Sequence, residues 1–91
     1  SSPIIVDSTV LVDNDLSSKT TTVQVMTSDK PGRLYNILEA FYEMNLNVLS
    51  AKISTLGEKI FDIFQVSSTQ NKKIIDKKEI KKIEKKIMSV L

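Results

Sequence analysis

The stretch that decides the fold is SDKPGRLYNILEAFYEMNLNV, residues 28–48. Pro31 suits the first turn of a helix, because an N–H at that position has no intrahelical partner. Ser28 or Asp29 can cap the free N–H groups of this turn. Apolar residues then recur at the spacing of one helical face: Leu34, Ile37, Leu38, Phe41 and Met44. The stretch predicts an amphipathic helix whose wet side carries Arg33, Asn36, Glu39 and Glu43.

Two β-strands are predicted before this helix. Residues 4–14 are rich in β-branched residues and partly alternate between apolar and polar types, which is typical of a strand. Residues 20–27 also alternate, with Val23 and Val25 on one face. The turn cluster at residues 14–18 is short, so we expect the two strands to be antiparallel neighbours.

Two more strands are predicted after the helix, at residues 48–55 and 59–67, joined by a tight turn at Gly57. The first has an apolar face made of Leu49, Ala51 and Ile53. The second has apolar residues on both faces: Phe61 and Ile63 on one, and Ile60, Phe64 and Val66 on the other. That pattern is typical of a central strand whose second surface is also covered.

A second helix is predicted after a polar loop at residues 68–75. Asp76 and Glu79 have the spacing of a capping box. The apolar face that follows consists of Ile80, Ile83, Ile87 and Val90 or Leu91, with Met88 beside it. The order is therefore ββαββα, with two helices on one face of a four-stranded antiparallel sheet. This α+β sandwich is a permuted ferredoxin-like fold, because the first strand fills the place of the missing last edge strand. The predicted strand order is 1-2-4-3 in one domain, residues 1–91.

The composition excludes several classes of chemistry. The chain has no cysteine and no histidine, which removes disulfides, thiol nucleophiles, thiolate zinc sites and imidazole bases. Asp13 and Asp15 are close in sequence, but no Gly-punctuated calcium loop surrounds them, so we interpret them as turn residues. We therefore predict no catalytic residues, no metal and no cofactor. No apolar run approaches the roughly 20 residues of a membrane helix, and no membrane partner is expected.

The chain starts at Ser1 rather than Met, which suggests a piece of a longer protein. The first residues do not form a secretory leader, so the expected location is the cytoplasm, or a plastid for a plant-type protein.

Positive charge is concentrated in the last third of the chain. From residue 72 onward there are eight lysines and three acids, although the whole chain has a net charge of only +2. A basic helix of this kind can bind nucleic acid or anionic lipid, or it can be a solvated face that keeps a small domain in solution. We favour the solvated face. The ferredoxin-like pattern also occurs in RNA-binding modules, but Asp62 and the lack of aromatics in residues 20–27 argue against RNA binding.

The start of the first helix is the best candidate for a binding site. A glycine there, Gly32, lets a ligand approach the backbone, and free N–H groups attract a carboxylate. Asp29 can face a ligand ammonium, Asn47 can hydrogen-bond either group, and Arg33 can add a carboxylate contact. Each residue also has a simpler interpretation. Asp29 can be only a cap, Gly32 can relieve crowding against the sheet, Asn47 can be a turn residue, and Arg33 can point to water.

The motifs around this helix resemble the ACT-domain family. The residues that carry the resemblance are Asp29-Lys30-Pro31-Gly32-Arg33-Leu34, Asn47-Val48, Ala51 to Lys59, Asp62 to Val66, and Val12-Asp13-Asn14 with Ser17 ahead of Thr22 to Val25. Their order is similar to that of the C-terminal ACT domain of bacterial PII uridylyltransferases and to plant ACT-repeat proteins. One departure is Arg33, where the family usually has an aliphatic residue.

The resemblance implies a regulatory domain that binds an amino acid, with glutamine as the signal, and that reports to an upstream nucleotidyltransferase in nitrogen regulation. It further implies pairing with a second ACT domain, with the ligand at the seam. The implied ligand-binding residues are Asp29, Pro31, Gly32, Arg33, Leu34, Asn47 and Val48. Two alternatives remain open: a ligand-free interaction module of the same fold, and a basic nucleic-acid or lipid binder.

Overall fold

The computed structural model describes residues 7–91, so the first part of the predicted strand at residues 4–14 lies outside the described residues. The elements follow the predicted order: β1 (Thr9–Asp13), β2 (Thr21–Ser28), α1 (Arg33–Glu43), β3 (Leu46–Leu56), β4 (Lys59–Ser68) and α2 (Lys77–Ser89). The α+β, ββαββα architecture is confirmed.

The four strands form one antiparallel sheet in the order β1-β2-β4-β3, as predicted. β4 is central because it has apolar residues on both faces. Phe64 of β4 lies opposite Val23 of β2 and Ala51 of β3, which fixes the register on the helix side. In an antiparallel sheet, a slip by one residue would turn this apolar set to the other face.

The core lies between the sheet and the two helices. Phe41 of α1 and Phe64 of β4 meet edge to face, with ring centroids 5.3 Å apart and planes at 62°. Both are fully buried, and their neighbours in the core are Val23, Val25, Val66, Ile37, Ala40, Ile74, Ile83 and Ile87. Edge-to-face packing of this kind stabilises the fold by about 0.5–1.5 kcal/mol beyond the contribution of the buried area.

The buried side of α1 differs from the predicted one. Arg33, Ile37, Ala40 and Phe41 are buried, whereas Leu34 and Leu38 are 39% and 38% exposed. The helix is therefore rotated so that its first turn directs Arg33 at the sheet and leaves the two leucines on the margin. The prediction that Arg33 lies on the wet side is wrong.

The predicted helix caps are also wrong in detail. Gly32 is the N-cap of α1, and no side chain among the described residues caps the free N–H groups there. Ser28 is instead the last residue of β2. Asp76 is the N-cap of α2, but its carboxylate makes no capping bond. The Asp76 carbonyl accepts the Ile80 N–H over 3.0 Å, which continues the helical ladder without a capping box.

β3 contains a bulge that the alternation did not predict. Val48 lies opposite Val66 and Ser50 lies opposite Gln65, so Leu49 is an extra residue in the strand. Leu49 is 57% exposed and Ile53 is 44% exposed, because β3 is an edge strand that the helices cover only at its start. The predicted apolar face of this strand is therefore largely open to solvent.

Candidate ligand-binding site

The candidate site is the segment between β2 and α1. β2 ends at Ser28, which lies opposite Lys59, and the Asp29 N–H donates to the Glu58 carbonyl over 3.4 Å. Gly32 has a φ of 78°, in the left-handed region that favours glycine. Apart from Gly32 and its two chain neighbours, no described residue has an atom within 4 Å of the position of an added Cβ. The interpretation that Gly32 relieves crowding is therefore wrong; the backbone conformation is what requires glycine.

The first turn of α1 presents free N–H groups beside this glycine. The Arg33 N–H donates to the Lys30 carbonyl over 3.2 Å, and the Asn36 N–H donates to the Gly32 carbonyl over 3.0 Å. Within residues 7–91, no backbone carbonyl accepts the N–H groups of Leu34 and Tyr35. The first turn also has no acidic side chain. Its partial positive charge can therefore attract an anion.

Arg33 is buried beneath the loop, with 5% of its surface exposed. Its Nη1 atom donates to the Ser28 carbonyl over 2.5 Å and lies 3.7 Å from Oδ1 of Asp29. The interpretation that Arg33 points to water is therefore wrong. The guanidinium instead ties the end of β2 to the first turn of α1. The Asp29 side chain is 76% exposed, so its carboxylate is open to solvent and to a ligand.

Asp62 is a buried acid that the sequence analysis did not assign to the site. It lies on the helix side of β4, opposite Val25 and Ile53, and is 1% exposed. Its pKa is raised above the ordinary value for an aspartate. Burial is the main cause, the charge of Arg33 opposes the rise, and the charge of Asp29 adds to it. The only signal in the sequence was an acid at a position that alternation reserves for an apolar side chain.

Arg33 and Asp62 share a further property. In the part of the chain that the structure describes, the buried side-chain polar atoms without a hydrogen-bond partner all belong to these two residues: Arg33 Nε, Asp62 Oδ1 and Asp62 Oδ2. A buried charge that lacks hydrogen bonds is costly, and such groups concentrate at functional sites.

Asn47 and Val48 lie at the other end of the sheet. Asn47 lies opposite Ser67, and its Nδ2 atom donates to the Ser68 carbonyl over 3.3 Å. The loop, in contrast, adjoins Lys59 at the start of β4. The length of β4 between Lys59 and Ser67 is about 26 Å at the usual rise of a strand. Within one copy, the structure therefore brings together Asp29, Pro31, Gly32, Arg33 and Leu34, and leaves Asn47 and Val48 apart from them.

The sheet face away from the helices is partly apolar. Leu11 is 55% exposed, and Phe61 and Ile63 are each 36% exposed. A shallow cavity of about 250 Å³ lies on this face, across β1, β2 and β4. Single exposed apolar residues are ordinary, but a contiguous group on a sheet face is a surface available for pairing.

The lysines of α2 lie on its solvent side. Lys77, Lys78, Lys81, Lys82 and Lys85 are exposed, and Lys86 forms an ion pair with Glu43 of α1 over 3.1 Å. Among the described residues, no group of three or more acidic side chains is placed to hold a metal ion. Between residues 7 and 91, no helix is both long and apolar enough to cross a membrane.

Comparison with known proteins agrees with the fold. Residues 9–91 match the model of the family described as "ACR9-like, ACT-like domain". The chain is 35% identical over 82 residues to the bifunctional uridylyltransferase/uridylyl-removing enzyme of Azospirillum brasilense, 33% identical over 84 residues to that of Zymomonas mobilis, and 30% identical over 82 residues to that of Pseudomonas syringae. These matches cover 90%, 92% and 90% of this chain but 9% of each relative. The match identifies a regulatory domain rather than an enzyme: the chain belongs to the ACT-like domain family.

Proposed function

We propose that the chain senses a free amino acid, with glutamine as the first candidate, and controls a linked nucleotidyltransferase in the cytoplasm. The observation that carries the proposal is the first turn of α1. There, the unbonded N–H groups of Leu34 and Tyr35 lie next to Gly32 and the exposed carboxylate of Asp29. An α-amino acid carries the complementary pair of charges. Its carboxylate would accept from the N–H groups, and its ammonium would face Asp29.

A second copy would complete the site. β3 is at the edge of the sheet, and its residues from Leu49 to Leu56 are exposed. If two β3 strands lie antiparallel along these edges, the start of one strand meets the end of the other. The end of β3 lies beside Lys59, which is also the neighbour of Ser28 at the loop. Asn47 of the second copy would thus reach the loop that Asn47 of the same copy cannot reach.

This arrangement explains how binding could be reported. A ligand held between two domains binds the paired state better than the separated state, so it shifts the population toward pairing. A catalytic domain that responds to the pairing would then be controlled by the amino acid. The chain spans 9% of the length of the relatives named above, so the linked activity belongs to the rest of such a protein.

The test is thermal unfolding of the chain in the presence of each of the twenty amino acids at millimolar concentration. A ligand at about 100 times its dissociation constant adds about 2.7 kcal/mol of stability. We expect one selective response, lost in Gly32→Val. Asn71→Val is the matched control, because Asn71 also has a positive φ, of 60°, and lies outside the site. No response from any amino acid, with the chain shown to be paired, would contradict the proposal.

The second candidate is an interaction module that binds no ligand. The observation that favours it is the partly apolar open face at Leu11, Phe61 and Ile63. Such a module would pair without any amino acid, and Phe61→Ser would abolish the pairing. Sedimentation with and without glutamine separates the two candidates, since only a sensor changes its pairing when the amino acid is added.

A further inference from the structure

The buried charges of Arg33 and Asp62 are the feature of this fold that packing does not explain. The other positions on the helix side of β4 hold apolar residues that are all buried: Ile60, Phe64 and Val66. Asp62 lies on this same face, and its two carboxylate oxygens have no hydrogen-bond partner among the described residues. An apolar residue there would avoid this cost, so the acid calls for a role other than stability.

We propose that Asp62 is a positioning residue of the candidate site. Its buried carboxylate attracts the Arg33 guanidinium inward, and Arg33 in turn holds the loop of residues 28–32 in place. The inference rests on the proposed function in so far as the loop is a ligand site. Asp62 itself is too deeply buried to touch a ligand and acts through Arg33.

The contacts of Arg33 supply the mechanical link. Its Nη1 atom donates to the carbonyl of Ser28, the last residue of β2. Its backbone N–H donates to the carbonyl of Lys30 in the loop. The side chain and the backbone of one residue therefore fix both sides of the loop. A long cationic side chain at a helix start would otherwise extend into water, where its charge is well solvated. Two acids oppose its charge: Asp29, whose Oδ1 lies 3.7 Å from Nη1, and Asp62, which makes no ion pair within 4.0 Å among residues 7–91 and acts on the guanidinium through its buried charge alone.

The test compares amide hydrogen exchange in the wild-type chain and in Asp62→Asn, at a pH where Asp62 is ionised and without any amino acid present. Three hydrogen-bonded amides report on the loop and its junction with α1: those of Asp29, Arg33 and Asn36. We expect the exchange rates of these amides to be about tenfold higher in Asp62→Asn, because the loop opens locally more often. The control amide is Ile80, which makes the equivalent first bond of α2 and should not change.

A purely structural role predicts a different result. In that case Asp62→Asn would lower global stability, and all protected amides would exchange faster together with Ile80. We expect instead that the unfolding free energy is not lowered, while the loop opens. Arg33→Met should open the loop to the same extent as Asp62→Asn, and the double variant should add nothing, because both changes remove one link. Additive effects, or an unchanged loop in Asp62→Asn, would overturn the proposal.

Two further measurements keep the test decisive. If Asp62→Asn does not fold, the titration of the Asp62 carboxyl is followed by NMR in Arg33→Met. It should shift to higher pH than in the wild type, and no shift would refute the link. Glutamine is then titrated into the wild type and Asp62→Asn, with several-fold weaker binding expected in the variant and equal binding counting against the proposal. If the wild type binds no glutamine, the proposed function fails, while the exchange data still decide the role of Asp62.

Discussion

Thr21 and Ile74, which are 53 residues apart, are joined by a buried hydrogen bond in which the Ile74 N–H donates to Thr21 Oγ1 over 2.8 Å. The same hydroxyl donates to Asn14 Oδ1 over 2.6 Å, and Asn14 Nδ2 donates to the Ile74 carbonyl over 2.8 Å. The three side-chain and backbone groups thus close a ring. It attaches the segment before α2 to the start of β2 and seats Ile74 in the core.

Thr21→Val should destabilise the chain by about 1–3 kcal/mol, because it keeps the shape of the side chain but leaves the buried Ile74 N–H without an acceptor. Urea unfolding measures the loss. Thr69→Val is the control, since Thr69 is exposed and its substitution should change stability by less than about 0.5 kcal/mol. Equal stability of the two variants would show that the ring contributes nothing.

Gly32→Ala should cost about 1–2 kcal/mol through backbone strain alone, because an L-residue is disfavoured at a φ of 78° while the space around it is open. Gly32→Asn should cost less, since asparagine tolerates this region, as Asn45 does at the other end of α1 with a φ of 58°. Thermal unfolding of both variants measures the difference. An alanine variant as stable as the asparagine variant would show that φ is not what constrains this position.

The pH dependence of stability should report on Asp62. Its pKa is raised above 3.8 in the folded chain, chiefly by burial, so folding favours the protonated acid. The stability that this group contributes is complete below about pH 3.8 and is lost as the pH rises through the raised pKa. The unfolding free energy of the wild type minus that of Asp62→Asn should therefore fall as the pH rises above about 3.8. A difference that rises with pH would mean that Arg33 outweighs burial.

Two phenylalanines of β4 should respond differently to truncation. Phe64→Ala should cost about 3–5 kcal/mol, because it empties the centre of the core and removes the contact with Phe41. Phe61→Ala, on the open face, should cost about 1 kcal/mol or less in the single copy. Urea unfolding at low protein concentration measures both losses of stability. If Phe61→Ala costs more when the concentration is raised, the open face takes part in pairing.

The fold followed from the sequence where alternation and helical spacing were long and regular. The placement of β4 in the centre could be predicted because this strand carries apolar residues on both faces, with Phe61 on one and Phe64 on the other. The orientation of α1 could not, since Arg33 at its start is buried against the end of β2, where its guanidinium donates to the Ser28 carbonyl. The burial of Asp62 and the separation of Asn47 from the loop depend on which strands and helices lie side by side. Local sequence patterns do not contain that information.

The two edges of the sheet differ in a way that limits assembly. β1 offers five residues at one edge, and β3 offers 11 at the other, of which those before Ser50 are offset by the bulge at Leu49. A sheet with two equal, flat edges can add copies without end, as fibres do. Within residues 7–91, the longest uninterrupted free edge is the segment from Ser50 to Leu56, and a twofold pair through this segment would occupy it in both copies. A pair formed through this edge would leave no equivalent edge free, so assembly of this kind would stop at two copies.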